Sequence, residues 1–368
     1  MDIFAKINGL KYTPFLCRKL NIFDFDELDR AFSTDATFIL EVNKNQLAVS
    51  WWVSPKRTRS YPYTRVYDSL DFYGKKVTII PIIKDEGKRG DRDFLQWDTV
   101  SLMSLLGVYV IISYYTDAKR SSRYRHKITD QRFDLDHIKG EIQKLLSYQS
   151  DALHWNISQI DNVGKLGQKA LKSYLDISDR LNVEIHSFES AERRINRLLK
   201  GKEIFMGLSR DLAEKAQKRE SITAQPKEYL TGEKAMLTIK NYLGGYYYFT
   251  CDEVEIHGEN LYLIEGKHTK TDNLPSLGDI KDGLLKMMLF TNLEDVRIGD
   301  VNYNPVPILK LTTGSRFDIS SLSKSRSEML DILKTEAETN GFRIVINHDF
   351  FYVEYNNWFI YCFLLAPF

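Results

Sequence analysis

The stretch from 246 to 268 constrains this chain more than any other. It reads Tyr-Tyr-Tyr-Phe-Thr-Cys-Asp-Glu-Val-Glu-Ile-His, then Gly-Glu-Asn, then Leu-Tyr-Leu-Ile-Glu-Gly-Lys-His. Two runs dense in aromatic and β-branched residues around a short polar turn predict an antiparallel hairpin. A hairpin also decides which side chains meet, because opposed residues share a face and a one-residue slip turns every side chain over. With a two-residue turn at Glu259-Asn260, Gly258 opposes Leu261, Asp252 opposes Lys267 and Val254 opposes Glu265. Asp252, Glu265 and Lys267 then cluster on one face. A three-residue turn would bring Glu253 and Glu255 there instead. The first register is favoured, since the second crowds three acids while Val254 and Ile256 turn away from Leu263.

Patterning divides the rest. The chain has 368 residues, 43 % apolar and 27 % charged, the balance of a globular protein with room for two or three domains. Residues 1–130 form an expected N-terminal α/β domain. It has strand signals at 37–42 and 46–53 around Asn43-Lys44-Asn45, another at 75–83, and a helix running into a strand over 97–115. Residues 131–225 form an expected helical region, with apolar residues returning every three or four positions at Ile138, Ile142 and Leu145, and again at Ile195, Leu198 and Leu199. Residues 226–368 form an expected second α/β domain. Here 227–242, 279–290 and 323–339 read as helices, the last closed by Asn340-Gly341, while 306–311 and 342–347 read as strands. The fold class is α/β, with a C-terminal mixed sheet flanked by helices.

Composition removes several classes of function. The net charge is only +1, so any contact with nucleic acid must come from local basic patches. Cys17, Cys251 and Cys362 are scattered with no CxxC pair, which argues against structural zinc and a disulfide framework. The first residues lack the basic-then-apolar pattern of a secretion signal, and the longest apolar stretch, 102–115, is too short to span a bilayer. The expectation is a cytoplasmic protein without a membrane partner.

Two carboxylates and a lysine on one sheet face suit a hard cation such as Mg²⁺, which takes a few carboxylate oxygens and completes its shell with water and phosphate. Asp252, followed after a 12-residue gap by Glu265-Gly266-Lys267, resembles the PD-(D/E)XK nuclease superfamily, most of all its type II restriction endonucleases. The resemblance covers residues 226–312. It implies Mg²⁺-dependent hydrolysis of phosphodiester bonds in double-stranded DNA. Asp252 and Glu265 would be metal ligands, and Lys267 would stabilise developing charge or orient the attacking water. The family often adds an acid from the preceding helix, for which Glu233 is the match, with Glu228 behind it. Cys251 stands where the family's proline would be. The family core has three strands between two helices, whereas only two are separable in this sequence. Cutting both strands of palindromic DNA implies a homodimer. A resolvase or repair nuclease of the same superfamily, and a DNA-binding protein without catalysis, stay open.

Two further segments are candidate DNA contacts. Residues 51–65 interleave cations and aromatics, and Arg57, Arg59 and Arg65 are its candidate readers, against a core role for the tryptophans. Residues 119–127 carry Lys119, Arg120, Arg123, Arg125 and Lys127, a phosphate-contacting segment or a solvated loop. Asp85, Glu86, Asp91 and Asp93 form an acidic cluster more suited to positioning than to a second catalytic site. Lys281 and Lys286 are candidate phosphate contacts or a solvated helix face. Arg193, Arg194 and Arg197 read as the wet face of a helix.

Overall fold

The computed structural model describes residues 1–56, 60–198, 204, 205, 207, 215, 233–242, 245–347 and 349–352. Among them, nine strands make one mixed sheet and five make a second. The chain opens with β1 (Asp2–Ile7), then β2 (Ile22–Asp24), helix α1 (Leu28–Thr34), and the hairpin β3 (Thr37–Val42) and β4 (Asn45–Trp51). Asn43 and Lys44 turn that hairpin at φ 49° and 67°, the two positive values a tight primed turn demands, so Asn45 belongs to the strand. Helix α2 (Ser60–Tyr67), β5 (Lys75–Pro81), the small hairpin β6 (Ile83–Asp85) and β7 (Arg92–Phe94), α3 (Trp97–Leu105) and β8 (Val108–Ser113) follow. The second sheet has the order β2-β3-β4-β5-β8, with β4, β5 and β8 parallel.

A two-stranded arm, β9 (Tyr115–Arg120) and β10 (Ile128–Phe133), leads into four helices: α4 (Leu135–Ser147), α5 (Ala152–Asp161), α6 (Val163–Leu181) and α7 (Phe188–Leu198). Asp134 and Asp151 cap α4 and α5 by accepting from the backbone N–H of His137 and His154. The helical texture expected here is present among the described residues as α4 to α7.

The large sheet is built from β11 (Glu233–Asn241), β12 (Tyr246–His257), β13 (Asn260–His268), β14 (Glu294–Ile298), β15 (Val301–Asn302), β16 (Asn304–Thr312), β17 (Arg343–Ile346) and β18 (Asp349–Tyr352), together with β1. Its order is β15-β14-β1-β11-β12-β13-β16-β17-β18. β11, β12 and β13 are an antiparallel meander. Helix α8 (Leu277–Phe290) then crosses back so that β16 lies parallel to β13, and α9 (Lys324–Asn340) precedes β17.

Two expectations need correction. The helix expected from 227 is a strand over 233–241. Ala235, Leu237 and Ile239 are buried while Lys234, Met236 and Thr238 are half-buried and Lys240 is exposed, a period of two. Methionine and lysine suggest a helix by propensity, but burial on both edges of the strand decides the outcome. The second correction concerns β1. Its Ile3, Ala5 and Ile7 face inward, and it pairs in parallel with β11 from Asp2↔Met236 to Ile7↔Asn241. The first residues of the chain therefore belong to the sheet of the last third. One hydrophobic core runs through both sheets. The two halves are also tied by polar contacts: Glu336 of α9, fully buried, accepts from the hydroxyls of Tyr12 (2.7 Å) and Tyr67 (2.6 Å) and the N–H groups of Phe15 (2.9 Å) and Leu16 (3.1 Å).

Candidate active site

The hairpin turns one residue earlier than expected, with His257 opposite Asn260 and Gly258-Glu259 between them, which moves each partner by two positions. Gly258 takes φ 61°, so the glycine rather than Asn260 serves the position that needs positive φ. A shift of two preserves faces. What the alternation does not anticipate is a bulge. β11 pairs Ala235 with Cys251 but Glu233 with Val254, so β12 carries an extra residue around Asp252. Parity changes there. Tyr247, Phe249, Cys251 and Val254 all join the main core, whereas Glu253 faces the other side, where its carboxylate meets Lys310 at 2.8 Å.

The bulge re-aims Asp252. It is half-buried, and its Oδ2 accepts from the backbone N–H of Gly266 at 3.0 Å, between Glu265 and Lys267. Asp252 and the Glu-x-Lys are therefore brought together, through a backbone contact rather than an opposed side-chain pair.

Glu265 is 1 % exposed and sits under α8. Lys267 Nζ lies 2.9 Å from its Oε1, and Lys286 Nζ lies 2.6 Å from its Oε2. Lys267 is also ion-paired to Asp282, one turn before Lys286 on α8. α8 can come this close because of Gly283: a Cβ there would stand 2.7 Å from Leu309 Cδ1 and 3.2 Å from Lys267 Cε. Ser276 caps the helix by accepting from Asp279 N–H, which fixes where the turns fall.

These contacts set the charge states. Burial alone would raise the carboxyl pKa of Glu265, but the adjacent Lys267 and Lys286 ammonium groups outweigh it and hold the group down at about 2. Burial works against both ammonium groups, yet Glu265 with Asp282 raises Lys267, and Glu265 with Asp252 raises Lys286. Formally, three carboxylates (Asp252, Glu265, Asp282) surround two ammonium groups, leaving one negative charge in excess. Asp282 was not singled out in the sequence, and Lys286 was weighed only as a phosphate contact or part of a solvated helix face. Their i, i+4 spacing on a helix following the Glu-x-Lys is the signal that would have found them.

As a donor set for Mg²⁺, this face offers ionised hard oxygen and an excess negative charge, but no dedicated cage. Among the described residues, no three His, Cys, Asp or Glu side chains converge to hold a metal. The fit is to a cation held by one or two carboxylates, with water and a phosphate completing its shell.

The remaining candidates are placed as follows. Glu233 lies on β11, opposite Val254, and not on a preceding helix. Arg57 and Arg59 lie outside the described residues, as do Glu228 and Cys362. Arg65 is half-buried, donates to the carbonyl of Trp51 at 2.6 Å and stacks 4.3 Å from its ring centroid, while Trp52 is fully buried. Arg65 thus braces α2 against β4, and the tryptophans belong to the core. Lys119, Arg120, Arg123 and Arg125 are exposed on the β9–β10 arm, where Lys119 pairs with Asp130 at 2.6 Å and Arg123 lies over Tyr124. The acidic cluster is dispersed: Asp85 meets His186 (2.9 Å), Glu86 meets Lys84 (2.6 Å) and Asp93 meets Ser54 (2.7 Å). Lys281 is buried in an ion pair with Asp68.

Among the described residues, no helix is long and apolar enough to cross a membrane. No family model matches the chain, and no curated protein matches it. Among solved structures, an adenylation, ketoreductase and pseudo-Asub multidomain structure of a keto acid-selecting NRPS module aligns with 94 % of this chain at 11 % identity. This chain spans 25 % of that one, and the TM-score of 0.13 leaves the match without weight for fold or function.

Proposed function

We propose that the chain is a Mg²⁺-dependent endonuclease that hydrolyses phosphodiester bonds in double-stranded DNA, of the site-specific, type II restriction kind. One observation carries the reading: Asp252, Glu265 and Lys267 meet at one point of the β12–β13 hairpin, with Glu265 kept ionised by two ammonium groups. The sheet around the hairpin is mixed α/β only in the general sense: β11 is a strand where the resemblance implies a helix, and β14 and β15 come between α8 and β16, so the reading rests on the site and not on the topology. Asp252 and Glu265 would hold the cation. When bound, Mg²⁺ would polarise the phosphodiester and lower the pKa of a coordinated water. Lys267, anchored by Asp282, would place a fixed positive charge where the phosphoryl oxygens gain negative charge. Lys286 would hold the far oxygen of Glu265 and so its orientation. DNA would lie across the exposed basic arm, and two sites in a homodimer would cut both strands.

A second reading has its own observation. Both oxygens of Glu265 are already engaged by lysines, as in an ion-pair network that only welds α8 to the sheet of a non-catalytic DNA-binding protein. Glu265→Ala separates the two. The purified protein and the variant are incubated with bacteriophage DNA in Mg²⁺ or EDTA and run on a gel. The nuclease reading expects discrete Mg²⁺-dependent bands from the wild type and none from the variant, with DNA affinity kept. Bands that persist in the variant remove this site from the chemistry. Intact DNA from the wild type favours the network.

A further inference from the structure

Away from that face, the small hairpin β6–β7 and helix α7 bring two arginines against one ring. Arg194 lies 4.1 Å and Arg92 5.4 Å from the centroid of Phe94, measured at each guanidinium carbon. Arg92 donates to the carbonyl of Ser187 at 2.9 Å and to Ser190 Oγ at 3.1 Å. Arg194, half-buried, has no hydrogen bond or ion pair with any described residue, so the expected wet helix face holds for Arg193 and Arg197 but not for it.

No carboxylate of the described residues comes within 4.0 Å of either guanidinium. Two acids nearby in sequence are spent elsewhere: Asp93 accepts from Ser54 at 2.7 Å, and Glu189 accepts from Ser187 Oγ at 2.8 Å. The strain is visible in the charge state, since burial and then the like charge of Arg92 push Arg194 down to about 10. A planar fork with unspent donors beside a second one, lacking a carboxylate, is the arrangement that takes an oxyanion in bidentate fashion.

We propose that Arg92, Arg194 and the Ser190 hydroxyl form a binding site for a phosphate group. The surroundings suit an extended polyanion. Arg193 and Arg197 are exposed along α7, Arg89 is exposed at the tip of β6–β7, and Gly87 of that hairpin packs against the carbonyl of His126 in the basic β9–β10 arm. A nucleic-acid backbone and a free phosphate share this chemistry. The site stands apart from the catalytic reading and does not rest on it.

The test uses the full chain in EDTA, so that binding is read without cleavage. Fluorescence anisotropy with a labelled DNA duplex is measured over a range of NaCl concentrations for the wild type and Arg194→Met. In parallel, thermal unfolding of both proteins is followed in inorganic phosphate and in chloride of equal ionic strength. If the ligand is the DNA backbone, the variant loses about 0.9 from the slope of log affinity against log salt. If it is a free phosphate, the slope stays and only the wild type gains melting temperature in phosphate. The same slope and the same phosphate response in both proteins overturns the proposal. Should Arg194→Met fail to fold by circular dichroism, Arg194→Lys carries the test. It keeps the charge without the fork, so the phosphate-specific stabilisation must fall; an undiminished response again overturns the site.

Discussion

Replacing Glu265 by Gln, alone and together with Lys286→Met, asks whether the buried carboxylate and its lysines act as one unit. Glu265 is 1 % exposed, with Lys286 at 2.6 Å and Lys267 at 2.9 Å on its two oxygens. For charge centres about 4 Å apart at an effective dielectric of about 20, each attraction is worth about 4 kcal/mol before desolvation takes its share. Glutamine keeps the shape but takes from Lys286 its ion pair, leaving the attraction of Asp252 and the long 3.5 Å contact to the Thr250 carbonyl. Lys267 is less exposed to the loss because Asp282 still holds it. Removing one member of a buried pair costs about 3–5 kcal/mol, so Glu265→Gln is expected to lose that much. Lys286→Met is expected to lose less, since Glu265 retains Lys267. The double variant has no stranded ammonium group, so it should be about 2–3 kcal/mol more stable than the sum of the single losses implies. Urea unfolding of the four proteins by circular dichroism gives the cycle. Additivity within about 0.5 kcal/mol would mean the groups are independent, and the argument that two lysines hold Glu265 ionised would fail.

Acid titration tests the same charge state. The folded-state pKa of Glu265, about 2, lies below the ordinary carboxyl value of 4.5. Its contribution is therefore fully present above pH 4.5 and is lost as pH falls toward 2, a linkage of about 3 kcal/mol. The stability gap between wild type and Glu265→Gln should shrink between pH 5 and 3 as measured by urea unfolding, and a constant gap would contradict the shift. Arg65→Ala tests the reassignment of Arg65. Losing its stack on Trp51 and its hydrogen bond should cost about 1–3 kcal/mol in the melting curve with DNA affinity unchanged. A variant that melts normally but binds DNA weakly would return Arg65 to the interface.

Much of the architecture was legible because it is encoded locally. Positive-φ demand at Asn43-Lys44 and at Gly341, and strand density around Gly258, are properties of a few neighbouring residues. Helices α4 and α7 follow from apolar spacing, and α8 and α9 were located within two residues. The strand over 233–241 was misread because its two flanks, β1 and β12, come from elsewhere in the chain. Its alternation makes sense only once β1, more than two hundred residues earlier, lies beside it. Arg194 was misjudged for a related reason: a charged residue on a helix reads as solvated until the ring it packs on is known.

The sequence by itself determined that Asp252, Glu265 and Lys267 would share a hairpin, since chain neighbours joined by a short turn have few ways to pair. It also placed a helix directly after them. Only the tertiary structure decided how those groups meet. The bulge at Asp252 changes the parity of β12, Gly283 lets α8 settle against β13 and β16, and that approach brings Asp282 and Lys286 onto Lys267 and Glu265. The physical reason is range. Alternation and turn geometry act over a few residues, whereas burying a carboxylate between two lysines depends on how a helix and a sheet pack, which no local pattern specifies.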